Sequence, residues 1–269
     1  VGYSIVVPAL NEEETLGDVL RAVRPMTDDL VVVDGHSTDA TVAIARAHGA
    51  RVVQDGGRGK GDAVRAGLEA ARHPITVFID ADGSHEPRDI PALVAPIAAG
   101  EADLVMASRM LGGSEELFGS IPEAIRMAGS VAISLAINYR YGVRLTDYQN
   151  GFRAIRTDVG RALGLRSALT TIEQEMAWRC LREGYRVTER ASHEYRRRGG
   201  RSKVSVLRWS AIYVWNVVCG VVGPRKPPRV PVPLPDSPPA PAVAFAVAGE
   251  APPALPAGAP AGARPRPPA

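Results

Sequence analysis

The sequence predicts an α/β fold: a mostly parallel sheet flanked by helices, in a single domain with a C-terminal helix and a disordered tail. Three observations carry this reading. Short apolar runs alternate four times with helix-period segments before residue 80. A polar or glycine-rich loop follows each apolar run. Sixteen of the 23 prolines lie after Gly223.

Residues 3–7 form an apolar run ended by Pro8, the mark of a buried strand. A helix is expected over 13–24, with Leu16, Val19, Leu20 and Val23 on one face. Residues 30–33 read as a second strand, 41–48 as a helix closed by Gly49, and 52–54 as a third strand. A helix over 62–71 and a fourth strand over 75–79 complete the alternation. Such a pattern argues for a parallel sheet with helices on both faces. Ligands of such sheets bind beyond the carboxyl ends of the strands.

Farther on, 173–183 reads as a helix, and 128–139 and 204–223 are apolar segments. They are either helices buried on the sheet or a surface suited to a membrane. The expected organisation is a catalytic body over 1–203, an amphipathic membrane-surface helix over 204–223 and a Pro/Ala-rich tail over 224–269. The tail lacks the hydrophobic periodicity that would offset its ordering entropy. It should be removable without exposing a buried face.

Hydrophobic residues make up 45% of the chain and aromatics 5%, so the core must be aliphatic. The formal net charge is +3. The tail carries Arg225, Lys226, Arg229, Arg264 and Arg266 against Asp236 and Glu250, which leaves the body neutral. A neutral body argues against a general nucleic-acid binder. Cys180 and Cys219 show neither metal spacing nor a disulfide framework. The sequence opens directly on the strand pattern, so no leader is expected, and no charge-free apolar stretch reaches the ~18–20 residues of a membrane span. The expectation is a cytoplasmic protein, peripheral at most on the inner face of a membrane.

The loops carry the chemistry. Asp80 and Asp82 follow the fourth strand and, two residues apart on extended backbone, share a face. Two carboxylates so placed repel unless a cation sits between them, and hard oxygen ligands suit Mg²⁺ or Mn²⁺. Ser84 and His85 compete for the third ligand position. Residues 57–61, Gly-Arg-Gly-Lys-Gly, precede a helix, where backbone N–H groups with Arg58 and Lys60 would attract phosphate. The loop is neither a Walker loop nor a dinucleotide fingerprint. The Asp80-to-Ser84 run is also similar to the signature of haloacid dehalogenase phosphatases, but that signature normally opens a chain and here three strands precede it.

Taken in order, the motifs resemble the family 2 glycosyltransferases, among them the dolichol- and polyprenol-phosphate mannose or glucose synthases. They are Val7-Pro8-Ala9-Leu10-Asn11-Glu12, the Asp34-to-Asp39 loop, Gly59-Lys60-Gly61-Asp62-Ala63 and Asp80-Ala81-Asp82. Ala107-Ser108-Arg109, Asp147 with Gly151-Phe152-Arg153-Ala154, Glu175, and Arg197 with Gly200-Arg201-Ser202-Lys203 complete the set.

The resemblance implies a GT-A-like fold and inverting transfer of a hexose from a GDP-mannose- or UDP-glucose-type donor to polyprenyl or dolichyl phosphate. It implies a nucleotide pocket of Pro8, Ala9, Asn11, Glu12 and Asp34, with Lys60, Asp62 and Ala81 alongside. Asp80, Asp82 and Ser84 would serve the metal and ribose, and Arg197, Ser202 and Lys203 would close over the diphosphate. Arg109 and Arg126 would hold the acceptor phosphate. Two departures stand out. Asp34-Gly35-His36-Ser37 replaces the relatives' Asp-Asp-Gly-Ser, which leaves the base open, and Ser84 stands where many relatives have Gln.

A phosphate monoester, with its second pKa near ~6, is largely a dianion at neutral pH and needs no general base. A sugar-hydroxyl acceptor, soluble or polysaccharide, is the alternative and would need one. Asp147 and Glu175 are then the candidates, each with a structural role as the competing reading. The basic run 196–203 is glycine-rich and suits a closing lid. A sugar-nucleotide-binding protein without turnover is disfavoured by the intact Asp80/Asp82 pair.

Overall fold

The computed structural model describes residues 1–116, 121–197, 206–230 and Leu234, without the side chains of 121–123, 125, 126 and 206–211. The acceptor candidate Arg126, as a side chain, and the lid candidates Ser202 and Lys203 lie outside the described residues, as does the side chain of Trp209.

β1 (Tyr3–Ala9), β2 (Asp29–Asp34), β3 (Arg51–Gln54) and β4 (Ile75–Phe78) alternate with α1 (Leu16–Val23), α2 (Thr41–Ala47) and α3 (Lys60–Ala70). Then come α4 (Ile90–Ala98), β5 (Leu104–Ser108), α5 (Arg109–Gly112), α6 (Ile121–Tyr141) and β6 (Arg153–Arg156). α7 (Thr157–Ala162), α8 (Thr171–Arg182), β7 (Val187–Ala191) and α9 (Val206–Val221) complete the order. Among the described residues the strands form a seven-stranded sheet, β3-β2-β1-β4-β6-β5-β7, parallel except for β6.

Side chains alternate across the pleat, so β1 feeds two cores. Ile5, Val7 and Ala9 join α1 and α4 on one face, and Val6 joins α3, α6 and α8 on the other. Because β6 runs against β4 and β5, its amino end reaches the edge where β4 and β5 end. Residues 149–152 are thereby delivered beside the loop after β4.

The expected helix over 13–24 starts only at Leu16. Residues 11–13 instead tie the first loop to the second: Asn11 Oδ1 accepts from Thr38 N, and Glu12 N and Glu13 N donate to Thr41 Oγ1 and Asp39 Oδ2. Asn11 adopts φ 56° to do so. The helix expected over 62–71 starts earlier, at Lys60, after Gly59 at φ 110°. Both expected apolar segments are helical, and α9 packs against α6 and α8.

The expectation that the chain is loose from residue 224 needs correction. Lys226 N and Arg229 N donate to the carbonyls of Arg182 and Gly184 at 2.8 and 2.9 Å. Arg229 lies over the Tyr185 ring, and Leu234 is buried in the α1/α4 core. The start of the segment finds backbone partners at the open end of α8, which periodicity cannot reveal. Among the described residues no helix is long and apolar enough to cross a membrane, and both cysteines are free.

Candidate active site

Asp80, just past β4, accepts a salt bridge from Lys60 at 2.7 Å. The same ammonium lies 2.8 Å from Glu173 Oε1, at the start of α8. His85 Nε2 is 3.3 Å from the other Asp80 oxygen, and its ring stacks on Phe152. Burial opposes the charge on Asp80, but Lys60 and His85 outweigh it and hold the carboxyl well below the usual carboxylate range. Burial likewise opposes the charge on Lys60, and Asp80 and Glu173 raise its pKa above that of an ordinary lysine. Gly151 closes the network: a Cβ there would meet Asp80 Oδ2 at 2.6 Å and Lys60 Nζ at 2.8 Å, so any side chain would push the Lys60–Asp80 pair aside.

The loop carrying Gly151 is fixed by Arg153. This guanidinium is fully buried and donates to the carbonyls of Tyr148, Asn150 and Glu173, tying the start of β6 to α8. Burial pulls its pKa below the ordinary arginine value.

Asp82 is held differently. Its Oδ1 accepts from Ser84 N at 3.1 Å and Ser84 Oγ at 2.7 Å. Its Oδ2 faces Arg197 Nε at 3.2 Å, from the segment after β7. Arg197 also approaches Glu116 at 3.6 Å. Arg109 forks onto both oxygens of the fully buried Asp147 at 2.6 and 2.8 Å and reaches Glu194 at 3.1 Å. Burial opposes these charges too, yet the pairing raises the Arg109 pKa and lowers that of Asp147.

Lys60, Asp80, Ser84, His85, Arg109, Gly151, Glu173, Glu194 and Arg197 line one open cleft, together with Glu116, Ser130, Gln149, Asn150, Thr170 and Tyr213, whereas Asp82 and Asp147 lie outside that lining. Pro8 lines a small adjoining recess with Lys60, Asp80 and Glu173.

Other expected residues sit elsewhere along the sheet edge. Ala9 pairs with Asp34 across β1 and β2, and Asp34 accepts from Ser37 N, fixing the second loop. Asn11 and Glu12 tie the first two loops together, as described above. Asp62 is held by Arg58 and Arg65, and its bond from Arg58 leads the effects that lower its pKa to about 2. Ala81 is buried in the core.

The two general-base candidates need correction. Asp147 is consumed by Arg109, and neither it nor Glu175 lines the cleft. Glu175 accepts from Arg166 N, Ser167 N and Arg179, holding the turn before α8. Glu173 and Glu194 line the cleft instead. Glu173 is marked in sequence only as the first acid of a helix, and Glu194 by nothing beyond its nearness to the basic run.

Ser84 Oγ donates to Asp82, so it orients that carboxylate, whereas His85 attends Asp80. Among the described residues no group of three or more His, Cys, Asp or Glu is disposed to hold a metal ion. Two carboxylates still suffice for Mg²⁺, which usually keeps waters and takes phosphate oxygens as further ligands. Charge points the same way: the cleft lining holds Asp80, Glu116, Glu173 and Glu194 against Lys60, Arg109 and Arg197. An anionic diphosphate entering such a cleft calls for a further cation, for which Asp80 in the lining and Asp82 two residues on are the carboxylates at hand.

A family model described as glycosyl transferase family 2 matches residues 4–165. Over 219 residues the chain is 37% identical to an uncharacterised glycosyltransferase of Mycobacterium tuberculosis, covering 80% of this chain and 97% of that protein. It is 30% identical over 218 residues to a dolichyl-phosphate hexose transferase of Haloferax volcanii, covering 80% and 92%. Among solved structures it is similar to glucosyl-3-phosphoglycerate synthase from Mycobacterium tuberculosis in complex with Mn²⁺, UDP-glucose and phosphoglyceric acid. That match has a TM-score of 0.61 and 25% identity over 82% of this chain and 79% of that one. The sheet, the cleft at its carboxyl edge and these likenesses agree: the fold is GT-A-like, and the chain belongs to the family 2 glycosyltransferases.

Proposed function

We propose that this glycosyltransferase moves a hexose from a nucleotide-sugar donor to a polyprenyl phosphate, inverting the anomeric centre, with Mg²⁺ or Mn²⁺ held by Asp80 and Asp82. One observation carries the choice of acceptor. Every carboxylate lining the cleft lies within ion-pair distance of a cation: Asp80 and Glu173 of Lys60, Glu194 of Arg109, and Glu116 of Arg197. A hydroxyl nucleophile needs a carboxylate free to reach its proton, and each of these carboxylates would first have to leave its cation. A phosphate monoester arrives already deprotonated. The likeness to a dolichyl-phosphate hexose transferase supports the same acceptor.

The metal, when bound, stabilises the charge that develops on the departing nucleoside diphosphate. The chain's own residues do the rest. Lys60 and Arg197 sit on the two carboxylates and would turn toward diphosphate oxygens once the donor binds. Arg109, held on Asp147, would meet an acceptor phosphate by exchanging its contact with Glu194 for phosphate oxygens. Gly151 keeps the cleft floor open beside Asp80. The enzyme would work peripherally, on the inner face of a membrane.

A second reading, transfer to a hydroxyl, is supported by the likeness to a synthase crystallised with phosphoglyceric acid. In this chain Glu173 or Glu194 would have to leave its cation to act as base. The test pairs GDP-mannose and UDP-glucose with undecaprenyl phosphate and, separately, with phosphoglycerate, each with Mg²⁺, Mn²⁺ or chelator. Transfer to undecaprenyl phosphate, abolished by chelator, is expected. Transfer to the hydroxyl acceptor alone would overturn the lipid-phosphate assignment, and undiminished transfer in chelator would overturn the metal.

A further inference from the structure

We infer that the outer faces of α6 and α9 form one docking surface for an anionic lipid bilayer; the inference rests on the lipid-phosphate reading and names where the membrane sits. Residues 127–139 and 209–223 contain no charged side chain. On α6, Val131, Leu135 and Tyr139 recur one turn apart and are exposed, Tyr139 to 95%. At α9, Val214, Trp215, Val218 and Val222 are likewise exposed. The two helices pack together, and Tyr141 Oη donates to the Gly220 carbonyl, so the carboxyl ends of both stripes lie side by side. An apolar face of this kind, with aromatic residues on it, marks an interaction site.

Charge selects the occupant. The end shared by both helices is ringed by Arg140, Arg144, Arg182 and Arg225. Arg140 donates to the carbonyls of Val221 and Gly223, Arg182 to those of Cys219 and Val222, and Arg225 to that of Tyr141. Among the described residues none of the four is paired with a carboxylate, so no acidic side chain offsets their charge. An anionic headgroup layer meets them with opposite charge, within reach of the apolar stripe. The inner faces of the same helices place Ser130 and Tyr213 in the cleft wall, with Tyr213 Oη 2.7 Å from Thr170 Oγ1. A lipid tail anchored in the bilayer would therefore have its phosphate one helix diameter from the reacting centre.

The test is co-sedimentation of the full chain with phosphatidylglycerol or phosphatidylcholine vesicles free of polyprenyl phosphate, at low and high salt, together with its oligomeric state in solution. The variants are Trp215→Ser with Val218→Ser, and Leu135→Ser with Tyr139→Ser, each checked by thermal unfolding. Expected are binding to phosphatidylglycerol alone, weakening with salt, and at least about fivefold less bound protein in each folded double variant. Wild-type protein left in the supernatant, stripe variants that bind like wild type, or a dimer that the same variants dissociate would each overturn the proposal. The readout needs no acceptor, so loss of this surface leaves the acceptor assignment to its own assay, and the reverse.

Discussion

Asp80 and Asp82 stand two residues apart beyond β4, yet the molecule holds them by different means. Asp80 is wired into the body: Lys60 comes from α3, Glu173 behind it from α8, and His85 is pinned on Phe152. Asp82 is oriented by its neighbour Ser84 and faces Arg197, whose side chain is 40% exposed and comes from the segment beyond β7. One carboxylate is thus fixed by several elements of the scaffold, and the other only by its own loop and by Arg197. Substitutions at the two should separate stability from turnover.

The largest expected effect is on activity at Asp82. Asp82→Asn keeps the Ser84 contacts but removes the charge that would hold the cation, so turnover should fall by roughly 10²-fold or more. The melting temperature should stay close to wild type. Near-normal transfer by the folded variant, with or without chelator, would remove Asp82 from the metal assignment.

Lys60→Met tests the wired side. It leaves Asp80 and Glu173 facing each other without their shared cation. With Lys60 about a quarter exposed, the loss should be about 2 kcal/mol, below the roughly 3–5 kcal/mol of a fully buried pair. The sign of its pH dependence follows from both partners. Asp80 has a depressed pKa, so its contribution is present above the unfolded carboxylate value and is lost as pH falls through the folded one. Lys60 has a raised pKa, so its contribution is complete below the unfolded lysine value and is lost only at more alkaline pH. Thermal unfolding across pH should therefore show the variant's deficit in the neutral range and a smaller deficit below about pH 4. A deficit that grows in acid would break the account.

Arg197→Ala should have the smallest effect. Exposed ion pairs contribute about 0–1 kcal/mol, so stability should hardly change. Loss of one charge-assisted contact to the diphosphate should raise the donor KM about three- to tenfold, read by steady-state kinetics. A marked fall in melting temperature would mean that the Asp82 side is wired as firmly as the Asp80 side.

The same contrast explains what could be read before folding. β1 to β4 are apolar runs bounded by turn residues, and each hands its chemistry to the next few residues, so Lys60, Asp80 and Asp82 were visible in order. β6 reads Arg-Ala-Ile-Arg and looks like a polar loop, because Arg153 satisfies its charge with backbone carbonyls inside the protein. Glu175 and Asp147 read as base candidates or as structural residues alike, because sequence shows residue type and not partner. Each is occupied by an arginine and by backbone N–H groups that only the folded chain supplies.

The sequence by itself determined the alternation, the two faces of the sheet and the loops that carry the carboxylate pair. Those follow from periodicities of 3.6 and 2 residues and from turn chemistry, which act over a few neighbours. The tertiary structure alone decided that β6 enters antiparallel and brings Gly151 against Asp80, and that Lys60 spans Asp80 and Glu173. It also decided that residues 224–230 fasten to the end of α8. Each of these depends on contacts between residues far apart in the chain, where charge and hydrogen bonding choose partners by proximity in space.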